Sequence, residues 1–214
     1  MNISIHNKRF WMSNTLIVAS MLAAAFFPTA DAVQALVSES IFLIVLPAVF
    51  TRFFLKEKLS SIGLSLGNEV RGGLWLGTLI AVTFLCIALA THYTDILSQF
   101  TIPLSVRLSF LVFLIYTLIA GMYIFIFEFF FRGFVFFVWE RVVGINAIFI
   151  QTVFFMVFFL LASYGKVSAP FFIMSVMAIG SGLLVERSRS ILYSFLFSYI
   201  SVILGVGSIL FFVK

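Results

Sequence analysis

Glu128 and Arg132 are the residues whose chemistry is hardest to reconcile with their surroundings. They stand in Phe127-Glu128-Phe129-Phe130-Phe131-Arg132-Gly133, within an almost unbroken apolar stretch from Leu108 to Trp139. Four residues apart on a helix, they share a face, with the acid on the favoured N-terminal side. An unpaired charge at membrane depth costs roughly 2.5–3.5 kcal/mol even on insertion scales, so the pair has to face protein or a watery cavity. Two placements meet that condition. One is a site inside a helical bundle. The other is the cytoplasmic edge of the helix, because Leu108 to Phe127 already nearly crosses a hydrocarbon core at about 1.5 Å per residue. Intramembrane ionisable residues of this kind are candidate functional residues, so Glu128 and its partner Arg132 are the candidate site.

The remaining reactive side chains do not assemble a site by spacing. The histidines are His6 and His92, and the single cysteine is Cys86. A zinc site takes three or four converging N, S or O ligands, so no metal is expected, and no cofactor motif is present. A nucleophilic serine needs a base and an orienting partner. Ser175, Ser181, Ser194, Ser198 and Ser201 have none at helical spacing, and read as packing or back-bonding positions. Asn146, Gln151 and Thr152 read as interhelical hydrogen-bond formers.

The elements that must carry Glu128 are set by composition. The chain has 214 residues, 63% hydrophobic and 10% charged, with 30 phenylalanines and a mean hydropathy of +1.23. Globular proteins average roughly 45–50% apolar and about 25% charged, so a soluble domain is excluded and lipid is the solvent that fits. The apolar residues run continuously rather than alternating, which excludes a transmembrane β-barrel. A net charge of +5 scattered between apolar runs makes no basic stripe, so nucleic acid is not an expected partner; the lipid bilayer is.

Seven runs are long enough to cross as helices: Leu16–Ala30, Val37–Phe54, Leu74–Ala90, Leu108–Phe127, Ile145–Ala162, Pro170–Val185 and Ile191–Val213. Glu39 and Arg52 blur the ends of the second. Loops are short throughout, so residues 1–214 form a single all-α, polytopic transmembrane bundle. A cytoplasmic N-terminus puts Lys8, Arg9, Arg52, Lys56, Lys58, Arg71, Arg132, Arg141, Arg187 and Arg189 inside, and only Arg107, Lys166 and Lys214 outside. Ten against three is a strong positive-inside bias, with the C-terminus outside. Lys8-Arg9 and Ala30-Asp31-Ala32 also fit a signal peptide, but the apolar run is long and unbroken before Pro28, which favours an uncleaved first helix. Lys56 to Leu64 reads as a short segment at the cytoplasmic interface or a solvated connector.

Glu128-Phe129-Phe130-Phe131-Arg132-Gly133 resembles the first motif, Glu-Glu-x-x-x-Arg, of the CAAX protease and bacteriocin-processing (CPBP) intramembrane proteases. Leu59-Ser60-Ser61-Ile62-Gly63-Leu64 resembles the segment that precedes that family's core, and Trp139-Glu140-Arg141 with Gly144 follows at a similar distance. Leu184-Val185-Glu186-Arg187-Ser188-Arg189-Ser190-Ile191-Leu192 resembles the stretch leading into its last motif, so the likeness covers about residues 59–202. It implies the CPBP fold and, in an intact site, two glutamates and two histidines that activate water and stabilise an oxyanion. This chain departs from that set. Phe127 fills the first glutamate slot and Phe159 the first histidine slot; counting from Ser190, the last motif falls on Ser198 and Val202.

The resemblance therefore implies an integral protein of a bacterial-type inner or plasma membrane, with impaired or lost proteolysis and a membrane protein or peptide as partner. An active endopeptidase using Glu128 is the alternative. A transporter or complex subunit is a third reading, without the paired broken helices that such folds use.

Overall fold

A computed structural model describes residues 8–93, 102–166 and 169–212 of the chain; His6 and Lys214 lie outside the described residues. Those residues are helical wherever they are regular. Helix α1 is Lys8–Phe26 and stops ahead of Pro28. Asp31 opens α2 (Ala32–Phe54) by accepting the Gln34 N–H at 2.8 Å. Two π-helical turns, Ile41–Val45 and Phe50–Phe54, flank Pro47, whose missing N–H removes an internal hydrogen bond. Helix α3 is Glu69–Tyr93 and α4 is the short Leu104–Leu108. Helix α5 begins at Phe110–Phe127, widens into a π-helical segment over Glu128–Val135, and finishes as Phe136–Val143. Helices α6 (Ala147–Ala162), α7 (Ala169–Ser188) and α8 (Ile191–Phe212) complete the order.

Six helical stretches are long and apolar enough to cross a membrane. The longest, Phe110–Ala162, has 53 residues, which as one rod would be about 80 Å, well beyond a hydrocarbon core of about 30 Å. It is instead a hairpin. Gly144 adopts φ +60°, a conformation L-residues avoid, and the chain turns back through Asn146. Antiparallel contacts follow: Trp139 faces Phe154 and Phe127 faces Phe159.

The outside of the bundle is apolar, as a lipid solvent requires: Leu74, Phe110 and Phe172 are each at least 60% exposed. The inside is aromatic, centred on Phe129, Phe130, Phe131 and Phe134 of the π-helical segment.

One end of the bundle is tied by charges. Arg141 donates to both oxygens of Glu57, at 2.7 and 2.5 Å, and the Ser61 hydroxyl adds a third bond at 2.9 Å. Arg189 pairs with Glu140, and Arg187 lies over the Trp75 ring at 5.4 Å. The α2–α3, α5–α6 and α7–α8 connections therefore meet at one end, where Arg9 of α1 also lies beside Glu57 and Arg141. The hydrogen bonds from Arg141 hold the Glu57 carboxyl below its ordinary range against the opposing effect of burial. Its contribution to stability is full above the unfolded-state value and fades as pH falls through the lowered one.

The segment after α2 keeps Lys56, Lys58, Leu59 and Ser60 at the surface but turns Ile62 and Gly63 inward, so it is more than a solvated connector. Leu59–Ile62 makes a 3-10 turn that drives Ile62, 2% exposed, into the core. Gly63 sits at φ +85°, and a Cβ there would lie 2.8 Å from Phe137 and 2.9 Å from Ile191. Backbone bonds clamp the segment to the α7–α8 turn: Ile191 N–H donates to Gly63 O and Asn68 N–H to Ser188 O. The Ser190 hydroxyl donates to Ser65 O. Charge and a few spaced Leu/Ile could not reveal this, because the partners lie more than seventy residues away.

Gly63→Ala should therefore lower thermal stability in detergent by about 1–3 kcal/mol, through strain and overpacking. Gly73→Ala, where a Cβ meets nothing within 4 Å, should not. Equal melting temperatures for the two variants would show that the segment is not wedged in the core.

Candidate functional site

Glu128 and Arg132 open and close the first turn of the π-helical segment, all eight residues of which are buried. A π turn adds a residue per hydrogen-bonded ring and is found disproportionately at functional sites. Both charged side chains are 3% exposed. Ser198, level with them on α8, is eight residues from Ser190 at the charged end, a rise of about 12 Å. The pair is thus inside the bundle and not at the edge of a helix. Arg132 accordingly leaves the group of basic residues expected on the cytoplasmic side, which falls to nine against three.

The two side chains are close without being hydrogen-bonded: Arg132 Nε is 3.7 Å from Glu128 Oε2. Each finds another neighbour. Glu128 Oε1 accepts the Ser198 hydroxyl at 2.8 Å, and Ser198 Oγ is 3.0 Å from Ser181 Oγ. A hydroxyl has one proton, so if Ser198 gives its own to the carboxylate, Ser181 is the donor to Ser198. The Arg132 guanidinium lies 4.4 Å from the Phe155 ring centroid, a cation–π contact in a dry setting. Gly133 brings in the clamped segment: a Cβ there would be 3.0 Å from Ile62 O.

Two of the four motif slots, Phe159 and Ser198, lie against residues 127 and 128. Phe127 and Phe159 meet with ring centroids 5.3 Å apart, inside a cluster with Phe131, Phe155 and Phe158. Ser198 holds Glu128, and Val202, one turn further along α8, is partly buried and brings no polar atom. His92, at the end of α3, is exposed and takes no part. Among the described residues no group of three His, Cys, Asp or Glu converges on a metal position.

Spacing alone missed the serines that matter. Ser175 and Ser194 bond back to their own helix, at 2.8 and 3.0 Å, as expected. Ser181 and Ser198 instead form a cross-helix chain to a carboxylate 70 residues away from Ser198, which no helical periodicity reveals. The only signal toward Ser198 was its motif slot. Gln151 bridges helices by donating to Ala178 O at 2.9 Å, whereas Thr152 bonds its own helix. Glu39, read from sequence as marking a span end, lies two turns inside α2, because that helix starts at Ala32.

The assembly can hold a carboxylate, pass one hydroxyl proton to it and balance its charge. It supplies no imidazole for shuttling a proton to a leaving group. Arg132→Leu would strand Glu128 among apolar rings, and breaking one side of a buried pair typically costs about 3–5 kcal/mol. The expected result is a marked fall in folded yield and melting temperature, partly restored by adding Glu128→Gln. An Arg132→Leu protein that melts with the parent would remove the pair's structural importance.

No protein-family model matches this chain, and neither the curated proteins nor the solved structures contain a match to it.

Proposed function

We propose that the chain is an integral membrane protein of the CPBP intramembrane-protease type that has given up proteolysis and acts by binding or regulating a membrane protein or peptide. The observation carrying this reading is the convergence of the slots assigned from sequence. Phe127 packs on Phe159 where the resemblance implies a glutamate and a histidine, and Ser198 bonds Glu128 where it implies a histidine beside the second glutamate. The Phe127–Phe159 contact follows from the α5–α6 hairpin itself, so the weight of the reading falls on the Ser198–Glu128 bond across 70 residues.

The filling of those slots argues against hydrolysis. Attack of water on an amide needs a base to take its proton and donors for the developing oxyanion. Phenylalanine offers neither, and serine without a base of its own is a poor proton acceptor. Glu128 is held by Ser198 and faces Arg132, and its Oε2 has no accessible surface through which water approaches. The endopeptidase alternative rests on the Ser198–Glu128 bond itself, since a carboxylate that accepts a hydroxyl proton can act as a base. The test is incubation of the reconstituted protein with membrane-anchored peptide libraries, beside Glu128→Ala, with the products sequenced. No cleavage is expected; cleavage by the parent that disappears in Glu128→Ala would make Glu128 catalytic.

The same reading takes the Phe110–Ala162 hairpin as two spans, for seven in all, with the charged end in the cytoplasm of a bacterial-type inner or plasma membrane. Support comes from Arg9, Arg141, Arg187 and Arg189 sharing that end, together with the nine-to-three segregation of basic residues. Reporter fusions at Lys58, Tyr164 and Lys214 should read inside, outside and outside. A cytoplasmic signal at Lys214 would overturn the seven-span arrangement.

A further inference from the structure

At the charged end, cations outnumber carboxylates where α1 begins and α2 finishes. Arg9, Glu57 and Arg141 line one small cavity there with Leu55. Lys8 precedes Arg9 in the chain, Lys56 and Lys58 flank Glu57, and Arg52 stands in the last turn of α2. Six cations therefore share this corner with one carboxylate, and Glu57 is already taken by Arg141 and Ser61. Glu140, beside Arg141 in the chain, is taken by Arg189. Lys8, Arg52, Lys56 and Lys58 are exposed and enter no ion pair among the described residues.

The same end carries the chain's three tryptophans. Trp11 lies two residues after Arg9, Trp75 under the Arg187 guanidinium, and Trp139 against Phe10 and next to Glu140. Tryptophan collects at the level of lipid headgroups, where its apolar ring and polar N–H are both satisfied. Trp11 and Phe53, each more than half exposed, follow Arg9 and Arg52 closely in the chain. An acidic soluble partner would meet cations held beyond such a belt, whereas a phospholipid phosphate lies within it. Lys56 adds a second mark. It ends α2 at φ +58°, a left-handed conformation where glycine is the usual residue, with the Glu57 N–H donating back to Thr51 O at 3.0 Å. A lysine there keeps a cation at a position where the turn itself favours no side chain.

We infer that this corner binds the phosphate of an anionic phospholipid between Lys8 of α1 and Arg52, Lys56 and Lys58 at the end of α2, with Trp11 and Phe53 against its first acyl carbons. The inference holds in either orientation of the chain and whether or not the Glu128 centre is active. Its test uses the full-length protein in neutral detergent, titrated with dioleoyl phosphatidylglycerol or dioleoyl phosphatidylcholine, with bound lipid counted by native mass spectrometry. The two lipids share chains and phosphate and differ in net charge. Phosphatidylglycerol should bind more than about tenfold more tightly, since each cation near an anionic headgroup is worth about fivefold. The preference should shrink as salt is raised. Lys56→Gly removes one cation and relieves the left-handed turn. It should cost about fivefold in phosphatidylglycerol affinity without lowering the melting temperature. Adding Lys8→Gln and Arg52→Gln should bring the two lipids level. Arg71→Gln, at the start of α3, which packs on α7 and α8, should leave the preference intact. Equal binding of the two lipids by the parent would overturn the assignment. An Arg71→Gln loss as large as that of Lys56→Gly would do so too, by showing that the charge acts diffusely. So would glycerol phosphate or polyglutamate binding as tightly as phosphatidylglycerol, because the occupant would then be a soluble anion or an acidic protein.

Discussion

The fold is organised around the burial of one ion pair. Glu128 and Arg132 are each 3% exposed, in a segment whose other residues are four buried phenylalanines, Gly133 and Val135. Charges taken out of water cost several kcal/mol each unless their surroundings satisfy them. The two side chains satisfy each other only in part, at 3.7 Å, so each needs a further neighbour. α8 supplies Ser198 to the carboxylate and α6 supplies the Phe155 face to the guanidinium, while Ser181 of α7 supports Ser198. Three helices are thereby fixed in register on the π-helical segment of α5.

The charged end completes what the ion pair begins. The segment from Leu59 to Asn68 inserts Ile62 beneath Gly133 and is clamped to the α7–α8 turn by backbone bonds. Arg141 on Glu57 and Arg189 on Glu140 close the same connections from outside. Contacts at this half-exposed rim are individually modest. The buried backbone bonds and the close fit around Gly63 are not, and they tie the clamped segment to the element carrying Glu128. The candidate centre is thus stiff on the charged side. An apolar groove lies between α2, α5 and α8.

These features favour holding a partner over turning over a substrate. Phe127 and Phe159 bring ring packing rather than proton-transferring groups beside Glu128, worth about 0.5–1.5 kcal/mol per pair beyond area burial. What remains at Glu128 is a polar lock between helices. A lock of this kind keeps the helices in place, because removing either charge exposes the other to the apolar core.

The sequence by itself determined that the chain is helical and made for lipid, since 63% hydrophobic residues in long runs permit no other packing. It also singled out Glu128 and Arg132, because charges inside an apolar run are conspicuous at any register. It could not choose between bundle interior and helix edge, since that depends on where α8 and α6 lie against α5. Nor could it show that Ser198 answers Glu128, that Ile62 and Gly63 are buried, or that α2 begins at Ala32 and draws Glu39 inward. Those are decided by contacts between residues some 70 to 130 positions apart, or by where a helix cap falls. Local periodicity carries neither; tertiary packing sets both by leaving each buried polar atom only certain neighbours.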